Sequence, residues 1–130
     1  MSCMIKIRVP ATSANLGPGF DCLGLALDVW NEIAFEPAEQ LKYRASGEGA
    51  EKLNKGNRNL LTKAYTRLHE ACGKKAGGVR IAARNEIPMS SGLGSSAAAI
   101  VAGVGVTEAR RSRNLDAQKM RHHDAQCVRP

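Results

Sequence analysis

The sequence predicts a single α+β domain, and three observations carry that reading. Met4-Ile5-Lys6-Ile7-Arg8-Val9 alternates apolar and basic side chains with the period of a half-buried strand. Leu60, Leu61, Ala64, Tyr65, Leu68 and Ala71 recur at helical spacing. Between the strand-like Val79-Arg80-Ile81-Ala82-Ala83-Arg84 and a run of small helix formers lies a segment dense in glycine and serine, Pro88-Met89-Ser90-Ser91-Gly92-Leu93-Gly94-Ser95-Ser96-Ala97-Ala98.

Taken in order, the first strand is expected to present Ile5, Ile7 and Val9 to a core and to end at Pro10. Residues 11–21 are rich in Gly, Ser, Asn and Pro and read as an irregular loop. Residues 23–27 and 29–35 read as two further extended segments separated by a turn near Asp28. A short strand is expected over residues 43–46, and a polar surface connection over 47–57. The helix over residues 60–72 has Asn59 as its N-cap and Gly73 as its stop, so its apolar residues are core and His69 is exposed or locally bonded. The strand at 79–84 leads into the glycine-serine segment. A second helix starts near Ser95 and runs to Val106, so uniformly small and apolar that it is expected to be buried on nearly every side.

Bulk properties narrow the function classes. A chain of 130 residues with 43% hydrophobic and 24% charged residues fits one soluble domain. Trp30, Tyr43, Tyr65, Phe20 and Phe35 are the only aromatics, so the core must be mostly aliphatic. Residues 1–10 lack the apolar stretch of a signal peptide and no run is long enough to span a bilayer, so a cytoplasmic protein without membrane partners is expected. Cys3, Cys22, Cys72 and Cys127 form no C-x-x-C pair and read as four free thiols. The formal charge of +7 divides unevenly: residues 1–103 carry 13 Lys/Arg against 9 Asp/Glu, and residues 104–130 carry 6 against 3. A basic pocket for an anionic nucleotide and a solvated basic face both fit these counts. Arg110, Arg111 and Arg113 would have to carry any nucleic-acid reading; the chain lacks an aromatic platform, and no nucleic-acid partner is expected.

The glycine-serine segment has the makings of a phosphate cradle. Gly92 and Gly94 allow close backbone approach, and the helix that follows aims free N–H groups and a positive dipole end at the loop. The hydroxyls of Ser90, Ser91, Ser95 and Ser96 can bond phosphate oxygens or reach a magnesium ion, although a loop serine also commonly bonds its own backbone. A Walker loop fails here, because Gly94 is followed by Ser95-Ser96-Ala97 with no lysine. Gly92-Leu93-Gly94-Ser95-Ser96-Ala97 fits the letters of a dinucleotide fingerprint, but Asp116, at the required distance, lies in a polar stretch with no strand pattern.

Residues 88–98 resemble the P-x-x-x-G-L-G-S-S-A motif of the GHMP kinases. A second block about seventy residues earlier, Val9-Pro10-Ala11-Thr12-Ser13-Ala14-Asn15-Leu16-Gly17-Pro18-Gly19-Phe20-Asp21 with Leu23-Gly24-Leu25-Ala26-Leu27, resembles the N-terminal signature of the homoserine kinase branch. Alone, Asn15, Gly17 and Gly19 read as turn formers and Asp21 as a backbone cap; the co-occurrence of the two blocks selects the functional reading. The resemblance implies a GHMP-type N-terminal domain, a mixed β-sheet packed against helices, and ATP-dependent phosphorylation of L-homoserine to O-phospho-L-homoserine in threonine biosynthesis. It implies that Pro88, Met89, Ser90, Ser91, Gly92, Leu93, Gly94, Ser95, Ser96, Ala97 and Ala98 bind the ATP phosphates. Ser95 would help to hold Mg2+, and Asn15 and Asp21 would contact homoserine. Asp21 could serve as a base or only orient the substrate. A homodimer is the further partner the family suggests.

The resemblance covers residues 4–103 and then weakens. His122-His123-Asp124-Ala125 matches the family's H-x-D-N segment too poorly to receive its roles. The sequence therefore divides into an N-terminal GHMP domain over residues 1–110 and an irregular basic tail over 111–130, as in a truncated or frame-disrupted chain whose C-terminal domain is missing. Little or no kinase activity is expected of it. The competing readings are a noncatalytic nucleotide-binding fragment and another GHMP small-molecule kinase such as mevalonate kinase, which would share residues 88–98 but not 13–21.

Overall fold

The computed structural model describes residues 4–20, 22–56 and 59–119, with residues 111–119 described by their backbone alone. The elements are β1 (Ile5–Ser13), a 3-10 turn (Gly17–Gly19), β2 (Leu25–Pro37), β3 (Lys42–Gly47), α1 (Ala50–Leu53), α2 (Leu60–Ala71), β4 (Val79–Asn85) and α3 (Ser95–Lys119). The strands form one mixed sheet in the order β1-β2-β4-β3. β2 pairs antiparallel with β1 and β4, while β3 runs parallel to β4. A parallel pair needs a long crossover, and residues 48–78 supply it through α1 and α2.

One face of the sheet is apolar because the strands alternate. Ile5 and Val9 of β1, Ile33 and Phe35 of β2, and Val79, Ile81 and Ala83 of β4 are buried together. Leu61 and Tyr65 of α2, with Ala98, Ala102 and Val106 of α3, close that core from above. It is mostly aliphatic, as the composition requires, with Phe35 and Tyr65 as its large aromatic members. The two helices approach closely at Gly103, where a Cβ would lie 2.6 Å from the Leu61 carbonyl oxygen.

Local chemistry explains the bounds of α2. The Asn59 Oδ1 accepts from the Thr62 N–H at 3.0 Å, and the Asn59 N–H donates to Thr62 Oγ1 at 3.1 Å. This reciprocal cap contributes about 1 kcal/mol. At the other end Gly73 N–H donates to Glu70 O and Lys74 N–H to His69 O, each at 2.9 Å, which satisfies the last carbonyls. His69 is locally bonded, with Nδ1 2.9 Å from Tyr65 O. The Tyr65 hydroxyl donates to Gly77 O at 3.1 Å and accepts from Arg110 at 2.7 Å, tying α2 to α3 and to the approach to β4.

Five expectations are corrected. β1 passes through Pro10 to Ser13 instead of ending at Pro10, so residues 11–13 are strand and not loop. β1 is an edge strand whose one strand neighbour among the described residues is β2, and there the missing N–H of proline is tolerated. Residues 23–27 and 29–35 are not separated by a turn: β2 is continuous, with a bulge. Pro10 pairs with Trp30 but Ala11 pairs with Leu27, which makes Asp28 and Val29 the extra residues. The polar connection over 47–57 contains α1, and Asn54 just beyond it covers the free edge of β3. Ala45 N–H donates to Asn54 Oδ1 at 2.7 Å, and Asn54 Nδ2 donates to Ala45 O at 2.9 Å, an imitation of a neighbouring strand.

The remaining two corrections concern α3. The helix continues past Val106 to Lys119, so residues 111–119 of the expected irregular tail are helical; residues 120–130 lie outside the described residues. Glu, Ala, Arg, Gln and Lys in this stretch are good helix formers even without an apolar face. Nor is α3 buried all round. Ala98, Ala102 and Val106 recur every four residues on the core side, whereas Ile100, Val101 and Val104 are 42%, 55% and 37% exposed. Cys22 and Cys72 are free, exposed thiols, and Cys3 and Cys127 lie outside the described residues.

Candidate functional site

The glycine-serine segment bridges β4 and α3, and three anchors fix it. At its entrance Asn31, a buried residue of β2, accepts from the N–H groups of Glu86 and Ile87 at 2.9 and 3.0 Å. The Ile87 side chain is fully buried beneath it. In the middle, Thr12 N–H of β1 donates to Leu93 O at 3.0 Å. At the exit Ala98 N–H donates to Gly94 O at 2.8 Å, the first turn of α3.

Between these anchors the backbone enters the left-handed region at Ser90, Gly92 and Gly94, with φ of 58°, 75° and 74°. Gly94 is doubly constrained, because a Cβ there would lie 2.5 Å from Thr12 Oγ1. Gly92 has open space around it, so its backbone angle alone favours glycine. Such a path leads into the start of α3 at Ser95, and the first-turn N–H groups of a helix have no intrahelical acceptor, an arrangement suited to anions.

All eleven residues expected in the phosphate loop, Pro88 to Ala98 in sequence, are therefore gathered at one place. They are not equivalent. Ser91 Oγ donates to Pro88 O at 2.8 Å, so its hydroxyl proton shapes the loop itself. Ser90, Ser91 and Gly92 are exposed, whereas Ala98 belongs to the core. The Ser95 and Ser96 hydroxyls stand on the first turn of α3. Asn15 sits in the exposed loop after β1, and the Thr12 bond to Leu93 ties that strand end to the glycine-serine segment. Asp21 lies outside the described residues.

Sequence reasoning missed two features. Asn31 is one, because its partners are more than fifty residues away along the chain. The other is a slot of about 80 Å³ beside the loop, lined by Ile33, Tyr43, Asn59, Leu61, Asn85, Ser95 and others. Both helix N-termini, of α2 and α3, border it. Asn59 Nδ2 is buried there with no hydrogen-bond partner among the described residues, although Asn59 Oδ1 is satisfied by Thr62. An orphaned buried donor is uncommon, and an acceptor on a bound molecule would satisfy it. Burial holds the Tyr43 phenol above its ordinary value of 10.0, a rise opposed by the Asn85 hydrogen bond, so it is a neutral hydrogen-bonding group near pH 7. The only sequence signal was Asn59 itself, read solely as a cap.

Among the described residues no group of three or more His, Cys, Asp or Glu could hold a metal ion. Mg2+ does not need one: it keeps water and phosphate ligands and accepts a single protein hydroxyl, so Ser95 fits such an ion bound with a nucleotide. Among the same residues no helix is long and apolar enough to cross a membrane.

The model of the GHMP kinases N-terminal domain matches residues 59–128, more than half of the chain and including the whole loop. The chain belongs to the GHMP kinases. As a family match it continues well past residue 103, where the motif resemblance weakens. Among curated GHMP relatives, the chain is 43% identical over 102 residues to homoserine kinase of Carboxydothermus hydrogenoformans, covering 78% of this chain and 34% of that protein. It is 46% identical over 115 residues to homoserine kinase of Rhodococcus erythropolis, covering 88% of this chain and 36% of that protein. The chain thus spans about a third of the length of these relatives. Among solved GHMP structures, one described as a homoserine kinase from Listeria monocytogenes superposes with a TM-score of 0.68 at 32% identity, covering 85% of this chain and 38% of that one. Homoserine kinase from Cytophaga hutchinsonii gives 0.64 at 33% identity, over 81% and 34%.

Proposed function

We propose that this GHMP domain carries the ATP-phosphate and homoserine-binding elements of a homoserine kinase, the ATP-dependent enzyme that converts L-homoserine to O-phospho-L-homoserine in threonine biosynthesis. The observation that carries the reading is the loop from Pro88 to Ala98, held by Asn31 and Thr12 and leading directly into the first turn of α3, a build that suits an anion. The homoserine kinase names of the relatives favour this branch over mevalonate kinase.

In this reading the phosphates of ATP sit on the N–H groups of residues 92–97, and the base enters the slot, where the unpartnered Asn59 Nδ2 meets a ring nitrogen. Ile33 and Leu61 supply apolar walls. Ser95 offers its hydroxyl to Mg2+, which when bound neutralises charge on the transferring phosphoryl group. Asn15 and Asp21 serve homoserine: an amide and a carboxylate suit its ammonium, carboxylate and hydroxyl. The loop lies open, with Ser90, Ser91 and Gly92 exposed. Phosphoryl transfer relies on positioned groups in a site that excludes water, so this chain binds Mg-ATP with little turnover.

Calorimetric titration with Mg-ATP and then homoserine, accompanied by an assay for phosphate transfer, tests the proposal. Binding of both ligands supports it; binding of ATP alone assigns a noncatalytic nucleotide-binding domain; binding of neither removes it. We further propose that the protein is cytoplasmic, which fractionation tests, and homodimeric, which sedimentation tests.

A further inference from the structure

The sheet face opposite the helices carries a pattern that nucleotide binding does not use. Register places Lys6 beside Ala34, Ala34 beside Ala82 and Ala82 beside Arg44, so one row crosses all four strands with alanines in the middle and a cation at each end. The neighbouring row is Arg8, Glu32, Arg84 and Ser46. Side chains taller than alanine on either side turn the Ala34–Ala82 row into a trough, part of an open depression of about 550 Å³. Four cations line it against the one carboxylate of Glu32.

The cations divide into two kinds. Arg8 is paired with Glu32 at 3.1 Å and stacked 4.7 Å from the Trp30 ring centroid, and Arg84 is paired with Glu86 at 2.9 Å. Lys6 and Arg44, at the ends of the alanine row, form no ion pair with another described residue. Three strand-to-strand steps separate them, about 14 Å at the usual interstrand spacing.

We infer that this trough docks an extended acidic peptide segment of a partner protein, with one small apolar side chain over the Ala34–Ala82 floor and two carboxylates, four residues apart and on the same face, on Lys6 and Arg44. The spacing selects that occupant: four residues of extended chain span about 13 Å. Charge complementarity selects its sign, and a second copy of this face would bring like charges together. A nucleic-acid strand would meet the Glu32 carboxylate and an alanine floor, with only Trp30, already stacked by Arg8, as an aromatic surface.

The test is fluorescence anisotropy of the full chain with labelled Gly-Glu-Val-Ala-Val-Glu-Gly. Its glutamine analogue, a labelled oligo-dT and anionic phospholipid vesicles serve as competing probes. The expected result is binding of the glutamate peptide that weakens about tenfold in the glutamine analogue and in Lys6→Glu/Arg44→Glu. Both substitutions are on exposed side chains; Ala82→Glu, which fills the trough and repels the peptide, provides a second variant with the same expected loss. Circular dichroism checks each fold. Absence of peptide binding, equal binding of the glutamine analogue, indifference to both variants, or tighter binding of oligo-dT or vesicles would each overturn the inference. So would a dimer that Lys6→Glu/Arg44→Glu dissociates.

Discussion

Replacing Gly94 by alanine separates backbone strain from steric contact, because Gly92 provides a control in the same loop. Both residues have φ near +75°, and a Cβ in that region costs about 1–2 kcal/mol. At Gly92 nothing lies within 4 Å of the added carbon. At Gly94 the carbon would sit 2.5 Å from Thr12 Oγ1, 3.3 Å from Thr12 O and 3.5 Å from Thr12 N. Relieving that overlap moves the loop away from β1 and lengthens the Thr12-to-Leu93 hydrogen bond, adding about 1–3 kcal/mol. Gly92→Ala should therefore lose about 1–2 kcal/mol, and Gly94→Ala about 2–5 kcal/mol. Urea unfolding followed by Trp30 fluorescence reads the difference as a midpoint about 1 M lower for Gly94→Ala. Mg-ATP titration should show the larger affinity loss in the same variant. Equal midpoints for the two variants would refute the steric link between β1 and the glycine-serine loop.

Other positions give independent checks. Asn31→Ala leaves the Glu86 and Ile87 N–H groups without their acceptor, and should cost about 2–3 kcal/mol in urea unfolding and weaken Mg-ATP binding. Gly103→Ala pushes a methyl toward the Leu61 carbonyl oxygen and the Tyr65 nitrogen, at 2.6 and 3.1 Å, and should cost about 1–3 kcal/mol without altering the loop. Burial raises the Tyr65 phenol above 10.0, opposed by the Arg110 charge, so the folded state favours the neutral form. Its contribution is complete below pH 10 and is lost as pH rises through the higher folded value. Thermal melts should fall across that alkaline window, and Tyr65→Phe should flatten the fall while costing about 1 kcal/mol at neutral pH.

Features encoded locally were legible in the sequence. α2 could be read from its apolar spacing and from Asn59 and Gly73, and the glycine-serine segment could be read as a loop between a strand and a helix. Features that depend on partners distant in the chain were not. Pro10 looks like a strand stop unless its place at the sheet edge is known, and Asp28 looks like a turn unless the pairing with β1 reveals a bulge. The small side chains of α3 suggested burial on every side, yet only the face of Ala98, Ala102 and Val106 meets the core. Asn31 gave no local sign of its role, because its two acceptor bonds reach across the sheet to the loop entrance. The slot combines residues from three strands and three helices, a conjunction that periodicity does not express.

Backbone amide shifts during titration of the full chain with Mg-ATP test the central claim most directly. If residues 88–98 form the phosphate site, the largest changes fall on the amides of Gly92 to Ala98, with smaller ones at Asn59 and its side-chain amide. Saturable changes confined to another surface, or none in this loop at nucleotide concentrations that saturate the protein, would contradict it.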